Sequence, residues 1–247
     1  MDFIRNTRAI AKRELAAYFE SPVAYVFMVV FLVLLGFLTF FVSHFYEIGQ
    51  ADLRPFFFWH PWLFLILVPA AAMRLWAEER RSGTIETLLT LPVTMAEAIL
   101  GKFLAAWFFI GLIILLTFPV VLTAWYLGDP DKGAIIGGYL GSFLLAGTYL
   151  AVGSLTSACT RNQVISFVLS LVVCLFLLLA GWPPVTDLLV RWAPEWLVNC
   201  TASFGFMPHF EAFQKGIVDS RDIVYFLSVI IFMLFGTYVV IENRKSA

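Results

Sequence analysis

The sequence is poor in charged residues. Only 13% of its 247 residues are Asp, Glu, Lys or Arg, whereas 61% are hydrophobic, and the mean hydropathy is +0.90. A soluble globular domain typically carries about 25% charged and about 45–50% apolar residues. This composition excludes a water-soluble core, so lipid must solvate much of the chain. Because five or six spans of roughly 20 residues would use the whole length, we expect one membrane domain, residues 1–247, and no additional soluble domain.

Cysteine and histidine are also scarce. The chain has three of each: Cys159, Cys174 and Cys200, and His44, His60 and His209. No CxxC or Cys/His pattern occurs, so we expect the cysteines to be small packing residues. The histidines are far apart in sequence and lie near the predicted outer ends of apolar runs, where interfacial anchoring is the ordinary role. The sequence therefore predicts no metal site and no catalytic residue.

Further absences limit the function. The net charge is −1, so no global field favours nucleic acid. No GxxxxGK[ST] motif occurs, so any ATP must bind to another polypeptide. No A-x-A-like cleavage site follows the first apolar run, which is long enough to span a membrane, so we do not expect a cleaved signal peptide.

Long apolar runs predict an all-α, polytopic membrane protein with six transmembrane helices. The predicted spans are residues 22–42, 56–73, 103–127, 134–157, 164–181 and 222–241. Apart from His60 and Asp222, which lie near span ends, these spans contain no Asp, Glu, Lys, Arg or His. Secondary transporters and proton pumps mark their ion pathways with such residues. Their scarcity disfavours coupling to a proton or sodium gradient, and it also disfavours a membrane-embedded enzyme.

Residues 1–21 precede the first span and predict an amphipathic helix. Apolar residues recur at spacings near three and four, while basic residues occupy another face. The basic residues are Arg5, Arg8, Lys12 and Arg13. We expect this helix to lie in the membrane interface, because the alternative, a surface helix of a soluble domain, lacks such a domain. Ser21-Pro22 then predicts the N-cap and first position of the next helix.

Two features of the second half concern helix packing. Gly133, Gly137 and Gly141 recur every four residues, so one face of the fourth span lacks side chains and favours close helix approach in lipid. Residues 182–220 are rich in Trp and Pro. We expect them to form short re-entrant or periplasmic helices before the last span.

Basic residues are distributed unequally between the loops. With the N-terminus inside, eleven lie inside and five outside. The inner set is Arg5, Arg8, Lys12, Arg13, Arg74, Arg80, Arg81, Lys102, Arg161, Arg244 and Lys245; the outer set is Arg54, Lys132, Arg191, Lys215 and Arg221. The positive-inside rule therefore predicts that both termini are cytoplasmic.

The loop between the second and third spans begins with dense mixed charge. Its first charged residues are Glu78, Glu79, Arg80 and Arg81. Gly83 follows them and permits a sharp backbone turn. This pattern predicts that the chain turns on the cytoplasmic side shortly after it leaves the second span.

Residues 84–92 predict a short helix in the same loop. Thr84 can cap it, and Glu86 would lie in its first turn, near the positive end of the helix dipole. Leu88, Leu89 and Leu91 form its apolar side, and Pro92 ends it. Such a helix suits docking to an external motor, but it equally suits a helix that lies on the bilayer, and spacing alone does not decide. Next, Thr94-x-x-Glu97 is a capping box that begins the third transmembrane helix.

The run from Glu79 to Val93 (ERRSGTIETLLTLPV) resembles the signature of ABC-2-type transport permeases. Two more segments resemble the same family. Residues 11–22 are similar to its N-terminal connecting helix, and residues 213–227 to the segment that enters its last span. Together these similarities extend over essentially the whole chain, and the overall pattern is most similar to the gliding-motility-associated (GldF-like) subgroup.

The resemblance implies a function and partners. The chain would be the permease subunit of an ATP-driven exporter in the bacterial inner membrane, forming a homodimer or heterodimer with a second permease copy. Two copies of a separate ABC ATPase would hold ATP and Mg²⁺, so this chain would need no cofactor of its own. A membrane-anchored partner with an extracytoplasmic domain is a further implied subunit.

The resemblance also implies site residues. Contact with the ATPase is expected from Glu78, Glu79, Arg80, Gly83, Thr84, Glu86, Leu88, Leu89 and Pro92, with Arg161 and Asn162 as a second cytoplasmic contact. One alternative function stays open at this point: a membrane scaffold that transmits force from an ATPase to extracytoplasmic partners without moving a solute.

Overall fold

The computed structural model describes residues 2–47, 49, 51–83, 93–191 and 194–243. These residues form twelve α-helices, which we number in chain order. They are α1 (Asp2–Glu20), α2 (Pro22–Phe37), α3 (Arg54–Ala72), α4 (Arg74–Ser82), α5 (Met95–Leu115), α6 (Phe118–Leu127), α7 (Lys132–Cys159), α8 (Gln163–Ala180), α9 (Pro183–Val190), α10 (Glu195–Phe204), α11 (Phe206–Gln214) and α12 (Ser220–Asn243). No strand occurs within those ranges.

Six helical segments are long and apolar enough to cross a membrane. They are Pro22–Val42, Arg54–Ser82, Met95–Leu127, Lys132–Cys159, Gln163–Ala180 and Ser220–Asn243. The prediction of an all-α protein with six candidate transmembrane helices is therefore confirmed. Two segments are longer than predicted, because α3 continues into α4 beyond Met73 and α5 begins well before Phe103.

The first spanning segment has an unusual end. Ser21 and Pro22 occupy the N-cap and first helical position as predicted, although the Ser21 side chain makes no capping hydrogen bond. The last residues, Leu38–Val42, form a π-helix. Only 17% of this segment is buried inside the chain, so most of its apolar surface, such as Val26 and Val33, faces outward.

Helix α7 lies at the centre of the bundle. It packs against α3, α4, α5, α8, α11 and α12, and 78% of its spanning window is buried. Its glycines allow this crowding, since a Cβ atom at Gly147 would lie 2.7 Å from the Trp107 ring. These six helices therefore pack around a helix of small residues, which matches how membrane helices associate.

The glycine face predicted in α7 is used for close packing. A Cβ atom at Gly137 would lie 2.5 Å from the Phe213 carbonyl oxygen, and one at Gly141 would lie 2.7 Å from Phe213 Cβ. The partner is therefore the short helix α11, whose Phe206, Met207, Phe210 and Phe213 are buried. Short helices are present in this part of the chain as α9, α10 and α11, and α11 is inserted among α3, α7, α8 and α12.

His60 differs from its predicted role. Its side chain is fully buried, with Nδ1 placed 3.2 Å from the Phe56 carbonyl oxygen, and its ring packs edge-on against Phe56 and Phe64. The prediction of interfacial anchoring is wrong for this residue. The physical reason is that α3 begins at Arg54, so His60 lies a full turn and a half inside the helix and is enclosed by aromatic rings.

Charged side chains gather at one end of the bundle, where α4 ends and α5 begins. Glu14, Glu79, Glu97 and Lys102 are neighbours there, and we name this region the charged end. Helix α1 packs along α5 at this end. The short helices α9–α11 follow α8, whose N-terminal loop adjoins the charged end, so they lie toward the opposite end.

Candidate functional site

Lys102 on α5 is a buried cation that touches two other helices. Its side chain is 6% exposed, and its Nζ lies 2.7 Å from Oε1 of Glu79 on α4 and 3.4 Å from Oε2 of Glu14 on α1. The Trp76 ring centroid is 5.6 Å from the same Nζ. A buried ammonium is unfavourable unless it is paired, so these contacts hold α1, α4 and α5 together. Glu14, Trp76, Glu79 and Lys102 are named the Lys102 cluster.

The electrostatic environment keeps Glu14 ionised. Burial raises the pKa of its carboxyl group, but the positive charges of Lys102 and Arg13 outweigh burial and hold that pKa below 4.5. Arg13 contributes through a 2.8 Å hydrogen bond from its guanidinium to Glu14 Oε1. Helix α1 therefore presents a carboxylate to Lys102 at neutral pH.

A second set of contacts joins α1 to the start of α5. The predicted capping box is present, because the Thr94 amide donates to Glu97 Oε2 at 2.7 Å and the Glu97 amide donates to Thr94 Oγ at 3.3 Å. Glu97 Oε1 also accepts a hydrogen bond from Asn6 Nδ2 at 3.2 Å. Nearby, a Cβ atom at Gly101 would lie 2.7 Å from Ile10 Cγ2, so the two helices are in close contact.

Ser157 on α7 stabilises the junction between α3 and α4. Its hydroxyl donates to the Met73 carbonyl at 3.0 Å and accepts from the amides of Trp76 at 3.1 Å and Ala77 at 3.0 Å. These backbone groups lie where the regular helical pattern is interrupted at Met73, and an unpaired buried backbone group is costly. One serine therefore fixes both the position and the direction of α4.

Two side chains of α4 extend the contact with α7. The Trp76 indole donates to Ser154 Oγ at 3.1 Å, and its ring is fully buried. The Arg80 guanidinium donates to the Ala158 carbonyl near the end of α7. Helix α4 is thus attached along its length to α7 and, through Glu79, to Lys102 of α5, which also pairs with Glu14 of α1.

The remaining parts of α4 are its exposed outer face and its C-terminal end. Glu78 and Arg81 are exposed, whereas Glu79 and Arg80 face inward. Gly83 ends the helix in the left-handed region with φ 74°, which is the conformation that the predicted sharp turn requires. The predicted contact residues Thr84, Glu86, Leu88, Leu89 and Pro92 lie in residues 84–92, outside the described residues.

Comparison with protein families identifies the chain. Residues 60–192, more than half of its length, match the model of the ABC-2 family transporter protein. The chain belongs to the ABC-2 transporter family. It is therefore a multi-pass membrane permease component of an ABC transporter, and the family implies partnership with an ABC ATPase subunit. A comparison with curated proteins gave no match.

In this ABC-2 permease, the predicted second contact has two distinct parts. Asn162 caps α8, since its side-chain Oδ1 accepts a hydrogen bond from the Val164 backbone N–H at 2.9 Å. The backbone N–H of Asn162 donates to Thr160 Oγ at 3.1 Å. Arg161 between them is exposed. The bond from Arg80 to Ala158 places this loop beside α4. Within the loop, Asn162 stabilises the backbone, and Arg161 carries a positive charge that faces outward.

The four basic residues of α1 also occupy different surroundings. Arg13 pairs with Glu14, whereas Arg8 and Lys12 line a groove against α5. Arg5 is exposed one turn before them. The amphipathic pattern predicted the helix, and the structure shows that its cations contact at least two different surfaces.

Three residues of the site were not singled out from the sequence of this permease. Glu14, Lys102 and Ser157 come from helices far apart along the chain, and no spacing rule links them. Lys102 offered one signal, since it is a lone cation directly before a long apolar run. Ser157 offered none, because serines in membrane helices are common packing residues.

A second polar cluster lies between α11 and α12. His209 Nδ1 is 2.6 Å from Asp222 Oδ1, and the imidazole stacks on Tyr225 with centroids 3.9 Å apart. The Tyr225 hydroxyl donates to the Phe204 carbonyl at 2.6 Å. These contacts fix the short helices to the start of the last span of the permease.

Proposed function

We propose that this permease couples ATP binding and hydrolysis, on two copies of a separate ATPase, to the export of a substrate. ATP and Mg²⁺ would bind to the ATPase subunits, and residues 84–92 would dock onto them. The observation that carries the proposal is the attachment of α4. This short helix leads directly into residues 84–92, and it is bonded to α5 and α7 and, through Lys102, linked to α1.

The contacts of α4 favour transmission of movement over local relaxation. A displacement at Gly83 would act on Glu79 and Arg80, each of which is joined to another helix. Packed interiors deform little and transmit strain. A movement of residues 84–92 would therefore shift α1, α5 and α7 together, and α7 contacts most of the bundle.

The orientation follows from charge. With the charged end facing the cytoplasm, the basic residues of α1, α4 and the loop at Arg161 lie on the inner side, as the positive-inside rule favours. Both termini would be cytoplasmic, and the membrane would be the bacterial inner membrane. The ATPase would then meet α4, residues 84–92 and Arg161 on one surface.

The assembly would contain a second permease copy, identical or homologous. Helices α2, α8 and α12 are the least buried spans, at 17%, 28% and 22%, so their apolar faces are available to lipid or to a second copy. We also propose that the chain belongs to the gliding-motility-associated (GldF-like) subgroup. A membrane-anchored partner with an extracytoplasmic domain would complete such a complex.

The test is the charge reversal Glu86→Lys in the permease purified with its ATPase. We expect the variant to insert into the membrane normally, because residue 86 lies outside the spans, and to lose ATPase binding or permease-dependent ATP turnover. Co-purification ratio and turnover in proteoliposomes measure the two effects. The control is Asp187→Lys on α9, an exposed charge reversal of the same size toward the opposite end.

Normal ATPase binding together with normal turnover in Glu86→Lys would contradict the docking role. The same preparation also separates export from force transmission. Release of a co-purified cargo on ATP addition supports an exporter, whereas ATP turnover that moves no cargo but changes an extracytoplasmic partner supports a scaffold.

A further inference from the structure

Helix α1 and helix α5 enclose an open groove on the side away from the Lys102 cluster. Its volume is about 630 Å³, and it reaches the edge of α7. Its lining residues are Arg8, Ala11, Lys12, Leu15, Leu104, Ala105, Trp107, Phe108 and Phe143. The groove is therefore basic along α1 and apolar along α5 and α7.

The two cations of the groove are placed for a shared anion. Arg8 and Lys12 are one helical turn apart, so their side chains lie on the same face of α1. Both are exposed, and within the described residues no hydrogen bond or ion pair is found for either of them. This contrasts with Arg13, the next residue along, which pairs with Glu14.

The opposite wall is suited to a hydrocarbon chain. Leu104 and Phe108 lie one turn apart on α5 and are 42% and 60% exposed. Trp107 is held in place beside them, because its indole donates to the Phe143 carbonyl at 2.8 Å and its ring stacks on Phe143 at 4.4 Å. A fixed aromatic surface next to two exposed apolar side chains makes a continuous apolar strip.

The geometry points to a phospholipid with an anionic headgroup as the occupant of this groove. The phosphate would contact Arg8 and Lys12, and one acyl chain would lie along Leu104, Phe108 and Trp107. Charge complementarity selects the occupant, since a basic rim above an apolar wall matches a lipid of the anionic leaflet and does not match a zwitterionic one equally well. The inference needs α1 to lie at the membrane surface, but it does not depend on ATP-driven transport.

The test uses the full-length permease, purified in detergent and offered phosphatidylglycerol or phosphatidylcholine with brominated acyl chains. Native mass spectrometry counts the bound lipid, and quenching of tryptophan fluorescence locates it. Each basic residue near an anionic headgroup contributes about a fivefold gain, so two should give roughly a 25-fold preference for phosphatidylglycerol. The part of the fluorescence quenching that comes from Trp107 should be absent in Trp107→Phe.

Matched variants assign the binding to the groove. Lys12→Gln should reduce the preference about fivefold and R8Q/K12Q should abolish it, whereas Arg13→Gln, the same charge change on the neighbouring residue, should preserve it. Ala11→Phe keeps every charge but fills the groove, so it should also lose the lipid.

Three results would overturn the inference. The first is equal binding of both lipids by the unmodified chain. The second is an unchanged preference in R8Q/K12Q or, if that variant does not fold, in Ala11→Phe. The third is bound phosphatidylglycerol that leaves Trp107 unquenched, because the lipid would then occupy another surface.

Discussion

At the scale of single residues, Lys102 determines how three helices meet. Its ammonium is the shared partner of Glu14 and Glu79, whose side chains retain only 21% and 19% exposure. Removing one member of a buried ion pair is destabilising because the remaining charge is left uncompensated. The stability of the charged end should therefore depend on this one side chain more than on any exposed cation of the chain.

The corresponding prediction concerns Lys102→Met. It should destabilise the permease by about 3 kcal/mol, the lower end of the range for broken buried pairs, because both carboxylates keep some contact with solvent. The change is measured as a fall in Tm of the purified protein in detergent. Lys132→Met, which removes an exposed lysine from α7, is the control, and equal Tm values for the two variants would contradict the account.

A second residue-scale prediction concerns pH. Folding holds the pKa of Glu14 below 4.5, so this carboxylate stabilises the folded state above pH 4.5 and loses that contribution as the pH falls through the folded pKa. Acidification from pH 6 to pH 4 should therefore lower the Tm of the unmodified protein more than that of Glu14→Gln. Parallel losses of Tm in both proteins would show that Glu14 carries no such contribution.

The predictability of these residues depends on how far apart their partners are in sequence. The capping box at Thr94 and Glu97 and the turn at Gly83 were predicted correctly, because each is completed within one helical turn. The Lys102 cluster was not predicted, since it joins residues from three helices whose packing no local pattern specifies. His60 was predicted wrongly for the same reason, because its burial depends on rings from another helix as well as its own.

At the scale of elements, α7 is the helix on which the others depend. Its small residues let Trp107, Phe213 and other large side chains approach its backbone closely. Close approach of this kind supplies van der Waals contact, which is the main attraction between helices in lipid. The bundle should therefore tolerate small changes in the outer helices better than in α7.

Gly137→Ala tests this dependence. The added methyl group would lie 2.5 Å from the Phe213 carbonyl oxygen, so α11 must move or α7 must bend, and overpacking of this kind typically costs about 1–3 kcal/mol. We expect a clear fall in Tm.

Gly36→Ala is the control for this experiment, since nothing lies within 4 Å of an added Cβ atom there. Alanine also has the higher helix propensity, so that variant should keep or raise the Tm. A fall in Tm of similar size in both variants would contradict this dependence, because the loss could then not come from the packing of α11 on α7.

The elements themselves were largely readable from the sequence. Hydrophobic runs and the amphipathic pattern of α1 are local signals, so the six candidate spans and the first helix follow from them. The sequence did not show which element packs against the glycine face of α7. The repeat of Gly137 and Gly141 shows that something approaches closely, but only the folded chain shows that α11 does so.

At the scale of the whole molecule, the charged end and the opposite end are connected through α7. Ser157 near one end of this helix fixes α4, and Gly137 and Gly141 near its other end receive α11. His209 and Asp222 then join α11 to the last span. A movement that enters at α4 therefore has a continuous set of packed contacts to the short helix α11, which is what the proposed ATP-driven opening at the far side would require.

Binding of the ATPase and transmission of its movement can be separated in one experiment. The double variant E79Q/K102M removes the ionic links from Lys102 to α4 and to α1, while residues 84–92 and the Arg13–Glu14 pair keep their side chains. We predict that the ATPase still co-purifies with this permease at the normal ratio, but that the permease no longer stimulates ATP turnover in proteoliposomes. Normal binding together with fully stimulated turnover would contradict the claim that α4 and the Lys102 cluster pass the movement of the ATPase into the membrane helices.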